Sequence, residues 1–400
     1  PSLSNHIIVH LDEAAEDSFR SDQERRLHVN RGGKLLIALA VLLVLLIAAS
    51  MVLRLDLSQG LTLAEYLALA GRRLSDLGRF FTGGGAVNAV DYVFYTYLIV
   101  ALVGAALAAC GAMYQGVFRN PMASPTLLGV QSGGMLAATL YVLLCMSEEA
   151  VYVVHTQAEY VAIFSDMSTA QRNARQLWVF LGCFLGAALV VGVSRRAGRG
   201  KLSTVVLFLM GSVLSSLVNM AVSLVQYYLT LHDATTSRVL AIQSVSMGTF
   251  NGAYTLEHLL LTGIPILTGL AVLFLLSPRL NLLMFGEDEA RAMGLRVDAF
   301  RMAVFAVGVL LSGVVLAFCG QIGFVGLIVP HLSRRLAGSD YRRLSPASAL
   351  LGAIVMVLVY DAAYFTGFTS SINLITSLAG GVVFLVFLLG YRRRRNADWA

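Results

Sequence analysis

The stretch LLIALAVLLVLLIAASMVL occupies residues 35–53 and contains no charged side chain. A helix needs about 20 consecutive, mostly apolar residues to cross the hydrocarbon core of a bilayer. This stretch therefore predicts a membrane-spanning helix. Arg25, Arg26, Arg31 and Lys34 precede it. Basic residues are enriched on the cytoplasmic side of membrane proteins, so the helix is predicted to begin in the cytoplasm.

The rest of the chain repeats this pattern. Its 400 residues are 57% hydrophobic and only 13% charged, whereas soluble domains carry about 25% charged residues. Further apolar stretches lie at about residues 93–113, 127–146, 177–193, 203–229, 259–277, 302–319, 322–333, 346–366 and 372–391. The predicted fold is an all-α, polytopic membrane bundle of about ten transmembrane helices with both termini cytoplasmic. Residues 1–33 are predicted to form a cytoplasmic tail and residues 34–395 the transmembrane domain.

The net charge of +6 does not predict a nucleic-acid partner. The basic residues lie beside apolar segments, as the positive-inside rule requires, so membrane lipid is the predicted partner. The four cysteines each lie in an apolar stretch without metal-ligand spacing. No GxxxxGK[ST] loop is present to hold the phosphates of ATP. The chain is therefore not predicted to be an ATPase itself.

A break in helical pattern follows the second predicted span, in NPMASPTLLGVQSGG at residues 120–134. Asn120-Pro121 interrupts the helix, and Pro125 prevents it from resuming at once. Non-helical backbone at membrane depth is tolerated only where protein buries it or water lines it. The segment therefore has two interpretations, the lining of a transport pathway or a tight cytoplasmic turn.

A short charged helix is predicted within FGEDEARAMGL, residues 285–295. Glu287, Asp288 and Glu289 would lie in its first turn, and Gly294 just beyond its end, which suits the helix dipole and the usual helix cap. Such a helix on the cytoplasmic face could dock a soluble partner, or it could be a solvated connector.

The segment GFVGLIVPHLSRRLAGSDYRR, residues 323–343, combines closely spaced glycines with a proline and a histidine. Pro330 is predicted to end the eighth span. His331 has no second ligand at helical spacing, so a structural or capping role is predicted and no metal site. Residues 54–91 include an amphipathic stretch that predicts a helix lying on the outer membrane surface.

The helix break, the short charged helix and the glycine-rich segment with Pro330 resemble, in order and spacing, a known permease family. This is the family that imports iron-siderophores, haem and vitamin B12, the FecCD-like type II importers. The resemblance rests on NPMASPTLLG, GEDEARAMG and GFVGLIVPH with the GSDYRR that follows it. It covers about residues 34–395. It implies a permease subunit of an ATP-driven (ABC) importer in a bacterial inner membrane.

The resemblance also implies partners. These are ABC ATPase subunits, an extracytoplasmic substrate-binding protein, and a second permease copy or a homologous permease. ATP and Mg would be bound by the ATPase, and no cofactor by this chain. The resemblance assigns a cytoplasmic gate to Asn120, Pro121, Met122, Ser203 and Thr204. It assigns the contact that couples the permease to the ATPase to Gly286, Glu287, Asp288, Glu289, Ala290 and Gly294.

The chain departs from the family pattern on its outer side. Family members usually carry an Arg-Leu-Pro-Arg stretch where this chain reads VFYT at residues 93–96, and another arginine near Phe365. Those arginines often meet acidic residues of the binding protein. Arg72, Arg73 and Arg79, in the first outer segment, are the predicted replacements.

The predicted function is import of a ferric siderophore or similar metal chelate by alternating access. Haem, cobalamin or molybdate are alternative cargoes that the sequence does not separate. An ion-coupled secondary transporter would call for several intramembrane acids, and only Asp361 approaches that description. An intramembrane enzyme would need a catalytic pairing such as HExxH, which the sequence lacks.

Overall fold

The computed structural model of the chain describes residues 32–54, 89–146, 169–198, 204–232, 237–250, 254–369 and 371–397. The helices in these ranges are α1 (Gly32–Arg54), α2 (Ala89–Val117), a 3-10 helix (Pro125–Leu128), α3 (Val130–Cys145), α4 (Thr169–Ala197), α5 (Thr204–His232), α6 (Ser237–Met247), α7 (Leu256–Phe285), α8 (Glu287–Ala292), α9 (Val297–Cys319), α10 (Val325–Ala337), α11 (Tyr341–Thr366) and α12 (Ile372–Ala397). The described residues contain no strand.

Each predicted span coincides with one of these helices. Seven of them, α1, α2, α4, α5, α7, α9 and α11, are long and apolar enough to cross a membrane. The apolar helices α3 and Ile372–Val383 of α12 are shorter, and α10 has only 13 residues. The prediction of an all-α, polytopic membrane bundle is confirmed.

Helix α2 forms the centre of the bundle, where it packs against α7, α9, α10 and α11. In its most apolar stretch, 78% of the residues are buried, compared with 17% in α1. This burial depends on close backbone contact. A Cβ atom built on Gly111 would overlap the carbonyl group of Gly326 in α10, and one on Gly104 would overlap that of Gly352 in α11. Small residues at such contacts let transmembrane helices approach closely.

Pro330 does not end the eighth span as predicted. It lies inside α10, which continues to Ala337. Proline lacks the N–H that would bond to the carbonyl four residues earlier, here that of Gly326. That carbonyl lies against Gly111 of α2. The helical bond that the proline removes is therefore at a contact between α2 and α10, and the helix continues past it.

Asp361 ties three helices together. Its carboxylate accepts hydrogen bonds from the hydroxyl groups of Ser50 in α1, at 2.6 Å, and Tyr97 in α2, at 2.5 Å. The guanidinium of Arg54 lies 4.4 Å from the ring centroid of Tyr364 in α11, within the range of a cation–π contact. The intramembrane carboxylate thus takes part in interhelical hydrogen bonds that hold α1 against the bundle.

The predicted orientation can be tested with the native cysteines. Cys145, at the end of α3, is exposed, whereas the other three are buried. We expect a membrane-impermeant maleimide to label Cys145 in intact cells and Cys145→Ser to abolish that labelling. Adding Arg196→Cys, at the basic end of α4, should restore labelling only after permeabilisation. Labelling of the added cysteine in intact cells would reverse the whole topology.

Candidate functional site

A break in helical structure lies between α9 and α10, at Gly320–Phe324. Its backbone is held by groups from other helices. The Gln321 N–H donates to the carbonyl of Val245 at 2.7 Å, and the Gly323 N–H to Oδ1 of Asn373 at 2.9 Å. These bonds satisfy backbone groups that a continuous helix would pair internally. The ends of α6 and α9 and the start of α12 therefore meet at one point.

A cavity of about 390 Å³ adjoins this break. Most of its lining consists of hydroxyl and amide side chains, and among the lining residues in the described part of the chain none is acidic or basic. The lining residues are Ser124, Thr126, Gln131, Ser132, Met135, Ser212, Ser215, Asn219, Gln321, Gly323, Phe324, Leu327, Asn373 and Ser377. The cavity offers many hydrogen bonds and no counter-ion to a charged ligand.

Helix α5 contributes a polar stripe to the cavity. Ser212, Ser215 and Asn219 are spaced by three and four residues, so they share one face of the helix. The Ser215 and Ser132 hydroxyl groups are 2.7 Å apart, which links α5 to α3. The sequence prediction missed this stripe, although hydroxyl and amide residues at helical spacing within an apolar span could have indicated it.

Gln131 is the most unusual residue of the lining. It is 3% exposed, yet neither its Oε1 nor its Nε2 atom has a hydrogen-bond partner among the described residues. A buried amide without partners costs about 1–3 kcal/mol. Such a group is a candidate contact for a ligand that brings its own donors and acceptors.

The turn that follows α2 leads directly into the cavity wall. The Oδ1 atom of Asn120 accepts a hydrogen bond from the Met122 N–H at 2.9 Å, which closes a tight turn. Nε2 of His331 in α10 lies 3.2 Å from the carbonyl oxygen of Pro121, so His331 holds this turn to α10. Ser124, immediately after it, lines the cavity. The turn and part of the cavity lining are therefore adjacent parts of one segment.

Of the two other predicted gate residues, the structure describes only Thr204. It is the first residue of α5, the helix that carries the polar stripe, and Ser203 lies outside the described residues. The gate role of all five residues stays a prediction. Among the described residues, no group of three or more His, Cys, Asp or Glu side chains could hold a metal ion.

The predicted coupling segment forms the short helix α8, with Gly286 as its N-cap. Oε1 of Glu287 pairs with Nη2 of Arg301 in α9 at 2.5 Å. Arg301 is buried, and its Nε–H also donates to the carbonyl of Val117 at the end of α2. The hydrogen bond from Arg301 lowers the pKa of Glu287. Ala290 is fully buried, so one face of α8 is fixed to the bundle.

The opposite face of α8 is exposed and acidic. The Asp288 side chain is 93% exposed and pairs with the exposed Arg291 at 3.1 Å. Glu289 is exposed as well, so the acids outnumber the base on this face. Gly294, with φ +86°, turns the chain away after the helix. A short helix anchored on one face and acidic on the other is suited to docking. Docking was one of the two alternatives that the sequence left open for this segment, the other being a solvated connector.

The structure describes only some of the positions on the outer side where this chain departs from the family pattern. Tyr95 and Thr96, at positions where the family carries arginine-rich sequence, are each 5% exposed and lie inside α2. They are not surface residues in this chain. Arg72, Arg73 and Arg79 lie outside the described residues, so their predicted docking role stays a prediction.

This architecture is shared with known proteins along most of the chain. The sequence profile described as the FecCD transport family matches residues 41–390. The chain belongs to the FecCD transport family. It is therefore a permease of the ABC importer type and a multi-pass protein of the plasma membrane.

The relatives carry different cargoes. The chain is 32% identical to the iron(3+)-hydroxamate import permease FhuB of Bacillus subtilis, over 74% of this chain and 69% of that protein. It is also 32% identical to the hemin transport permease HmuU of Yersinia pestis, over 75% and 82% of the two chains. A solved metal-chelate type ABC transporter in an inward-facing conformation is 28% identical, with a TM-score of 0.66, over 90% of this chain and 99% of that one.

Proposed function

We propose that this FecCD permease forms half of the translocation pathway of an importer for a ferric siderophore or similar metal chelate. The observation that carries the proposal is the cavity beside the helix break. Its described lining consists mostly of hydroxyl and amide side chains and includes no charged one. A chelate encloses its metal and presents polar oxygen and nitrogen atoms. Such a surface can exchange hydrogen bonds with this lining without a counter-ion.

The alternative cargoes fit this lining less well. Molybdate and the propionates of haem carry negative charge, and burying a charge without a partner is costly. Cobalamin is a large amide-rich molecule, so it remains the closest alternative. The unpaired amide of Gln131 supports a cargo that supplies both donors and acceptors.

The complete importer would contain further subunits. ATPase subunits, which bind ATP and Mg, would dock on α8, and this chain itself would hold no cofactor and carry out no hydrolysis. A second copy of the chain or a homologous permease would complete the pathway, and a substrate-binding protein would deliver cargo from outside. ATP binding would shift the population of gate conformations at Asn120–Met122 and at the start of α5.

Filling the cavity should block transport. Ser215→Leu adds a bulky apolar side chain to the lining, and we expect it to lower ATP-dependent uptake at least about tenfold because overpacking and lost hydrogen bonds both act there. Ser216→Leu is the matched control, since Ser216 is an exposed residue of the same helix that does not line the cavity. Equal uptake by both variants would exclude the cavity as the pathway.

The cargo is tested by uptake into proteoliposomes that contain the permease with its ATPase and binding protein. Ferric hydroxamate, haem, cobalamin and molybdate are supplied in parallel, with and without ATP. We expect ATP-dependent uptake of the ferric hydroxamate alone. Uptake of only another cargo would overturn the siderophore proposal, and uptake driven by an ion gradient without ATP would overturn the importer mechanism.

A further inference from the structure

A second cavity, of about 400 Å³, lies at the cytoplasmic ends of the central helices. It is separate from the cavity beside the helix break, and the two share no lining residue among those that the structure describes. Its walls come from the end of α2, the turn that follows, the end of α7, α10, and the start of α11. The lining residues are Gln115, Gly116, Arg119, Pro121, Met284, Arg334, Ser339 and Tyr341.

Two arginines give this cavity positive charge, and none of the described residues that line it is acidic. Arg334 donates to Oε1 of Gln115 at 2.6 Å and to the hydroxyl of Tyr341 at 3.3 Å. Arg119 donates to the backbone carbonyl of Leu283. These acceptors are all neutral. Since each guanidinium has five N–H donors, most of the donors of both arginines have no hydrogen-bond acceptor in the part of the chain that the structure describes.

The acidic residues of the neighbouring turns are engaged elsewhere. Glu287 pairs with Arg301. Asp340 accepts from Nδ2 of Asn281 at 2.7 Å and caps α11 through the Arg342 N–H at 3.0 Å. The two cavity arginines therefore form no ion pair among the described residues. Arg119 is still close enough to Glu287 to help lower the pKa of that carboxylate, so the positive charge of the cavity is only partly offset.

We propose that this cavity binds the phosphate of an anionic phospholipid headgroup from the cytoplasmic leaflet. Arginine forks match phosphate geometry, and charge-assisted hydrogen bonds are the stronger kind. Basic pockets between transmembrane helices on the cytoplasmic side suit such headgroups. Met284 lines the cavity and Phe285 follows it, and both are more than half exposed, so they offer apolar surface to the acyl chains.

A carboxylate of the ATPase fits this position less well. On the proposed function, the ATPase meets the acidic face of α8, which begins only two residues after Phe285. The surface that complements Asp288 and Glu289 must be basic. It would repel the cavity arginines instead of supplying a carboxylate to them.

The test is native mass spectrometry of the purified full chain, exchanged into detergent with equal amounts of phosphatidylglycerol and phosphatidylcholine. We expect the wild type to retain phosphatidylglycerol preferentially, and Arg119→Gln with Arg334→Gln to lower that retention about tenfold. Arg342→Gln, an exposed arginine of the same face that does not line the cavity, should leave it unchanged. Equal retention of the two lipids by the wild type, or equal loss in the control, would overturn the proposal.

Further measurements distinguish lipid binding from destabilisation, from a free ion and from a partner carboxylate. Arg334 contacts Gln115 and Tyr341, so the double variant could be destabilised. Arg119→Gln alone changes an exposed residue and removes one described hydrogen bond, to the Leu283 carbonyl. It should therefore lower phosphatidylglycerol retention with only a small change in the melting temperature. Unchanged retention in this single variant would count against the site. Inorganic phosphate bound as tightly as the lipid would make a free ion the ligand. Loss of ATPase association with unchanged lipid retention would assign the cavity to a partner carboxylate.

Discussion

Gly111→Ala is expected to prevent the protein from accumulating in the membrane or to lower its melting temperature strongly. The added methyl group would overlap the carbonyl of Gly326. The atoms it meets belong to the backbone of α10, so no flexible side chain can move aside. Overpacking of a dense interior typically costs about 1–3 kcal/mol, and a backbone overlap lies at or above the upper end of that range. Size-exclusion chromatography of the detergent-solubilised protein, followed by a thermal ramp, measures the effect.

Gly192→Ala provides the matched control. Gly192 also lies in a membrane-spanning helix, α4, but a Cβ atom built there meets nothing within 4 Å. Alanine favours helix over glycine by about 1 kcal/mol. We therefore expect the control variant to be as stable as the wild type or more so. Equal melting temperatures for the two variants would mean that α2 and α10 are not packed as closely as described.

Reversing the exposed charges of α8, with Asp288→Lys and Glu289→Lys together, is expected to abolish coupling and leave the permease folded. Both side chains are exposed. Asp288 loses an exposed ion pair with Arg291, worth about 0.2–1 kcal/mol, and both residues lose a favourable interaction with the helix dipole, worth about 0.3–1 kcal/mol each. The anchors of α8, Glu287 and Ala290, are untouched. Copurification of the ATPase should fall at least about tenfold, a change of about 1.4 kcal/mol, and ATP-dependent uptake should be lost with it.

Asp298→Lys makes the same kind of charge reversal nearby. Asp298 is exposed in the first turn of α9, outside α8, and its reversal should leave ATPase association within about twofold of the wild type, since exposed charges contribute little individually. Full association of the double variant would remove the docking assignment. Equal loss in the double variant and the control would indicate a general charge effect of this face.

The membrane-spanning helices were predictable because each carries its own signal. An apolar run such as residues 35–53 is recognised without knowing its neighbours, since lipid requires apolar side chains wherever they sit. The signal for the short helix α8 was equally local, since it consisted of the acidic first turn and the glycine beyond the helix end. The prediction for Pro330 was wrong because the cost of a proline in a helix depends on its tertiary surroundings. Here the carbonyl that loses its helical bond, that of Gly326, packs against α2.

The cavities could not be predicted in the same way. Ser132, Ser215, Gln321 and Asn373 belong to four separate segments, and only the packed bundle brings them to one lining. The helix break at residues 120–134 and the stripe on α5 were the local indications of the cavity, and only the first was recognised from the sequence. The cytoplasmic cavity likewise joins residues from α2, α7, α10 and α11, and in the sequence its arginines resemble any other cytoplasmic basic residues.

The glycine contacts of α2 provide a fixed frame of reference for distance measurements. Where backbone lies directly on backbone, no rotamer change can absorb a sliding movement, so α2, α10 and α11 must travel together. Spin labels on α2 and α11 should therefore report one narrow distance whether the partner ATPase is nucleotide-free, ATP-bound or ADP-bound. The distance from these helices to a label on the exposed face of α5 would then report the movement of α5 alone, without a contribution from movement of the reference helices.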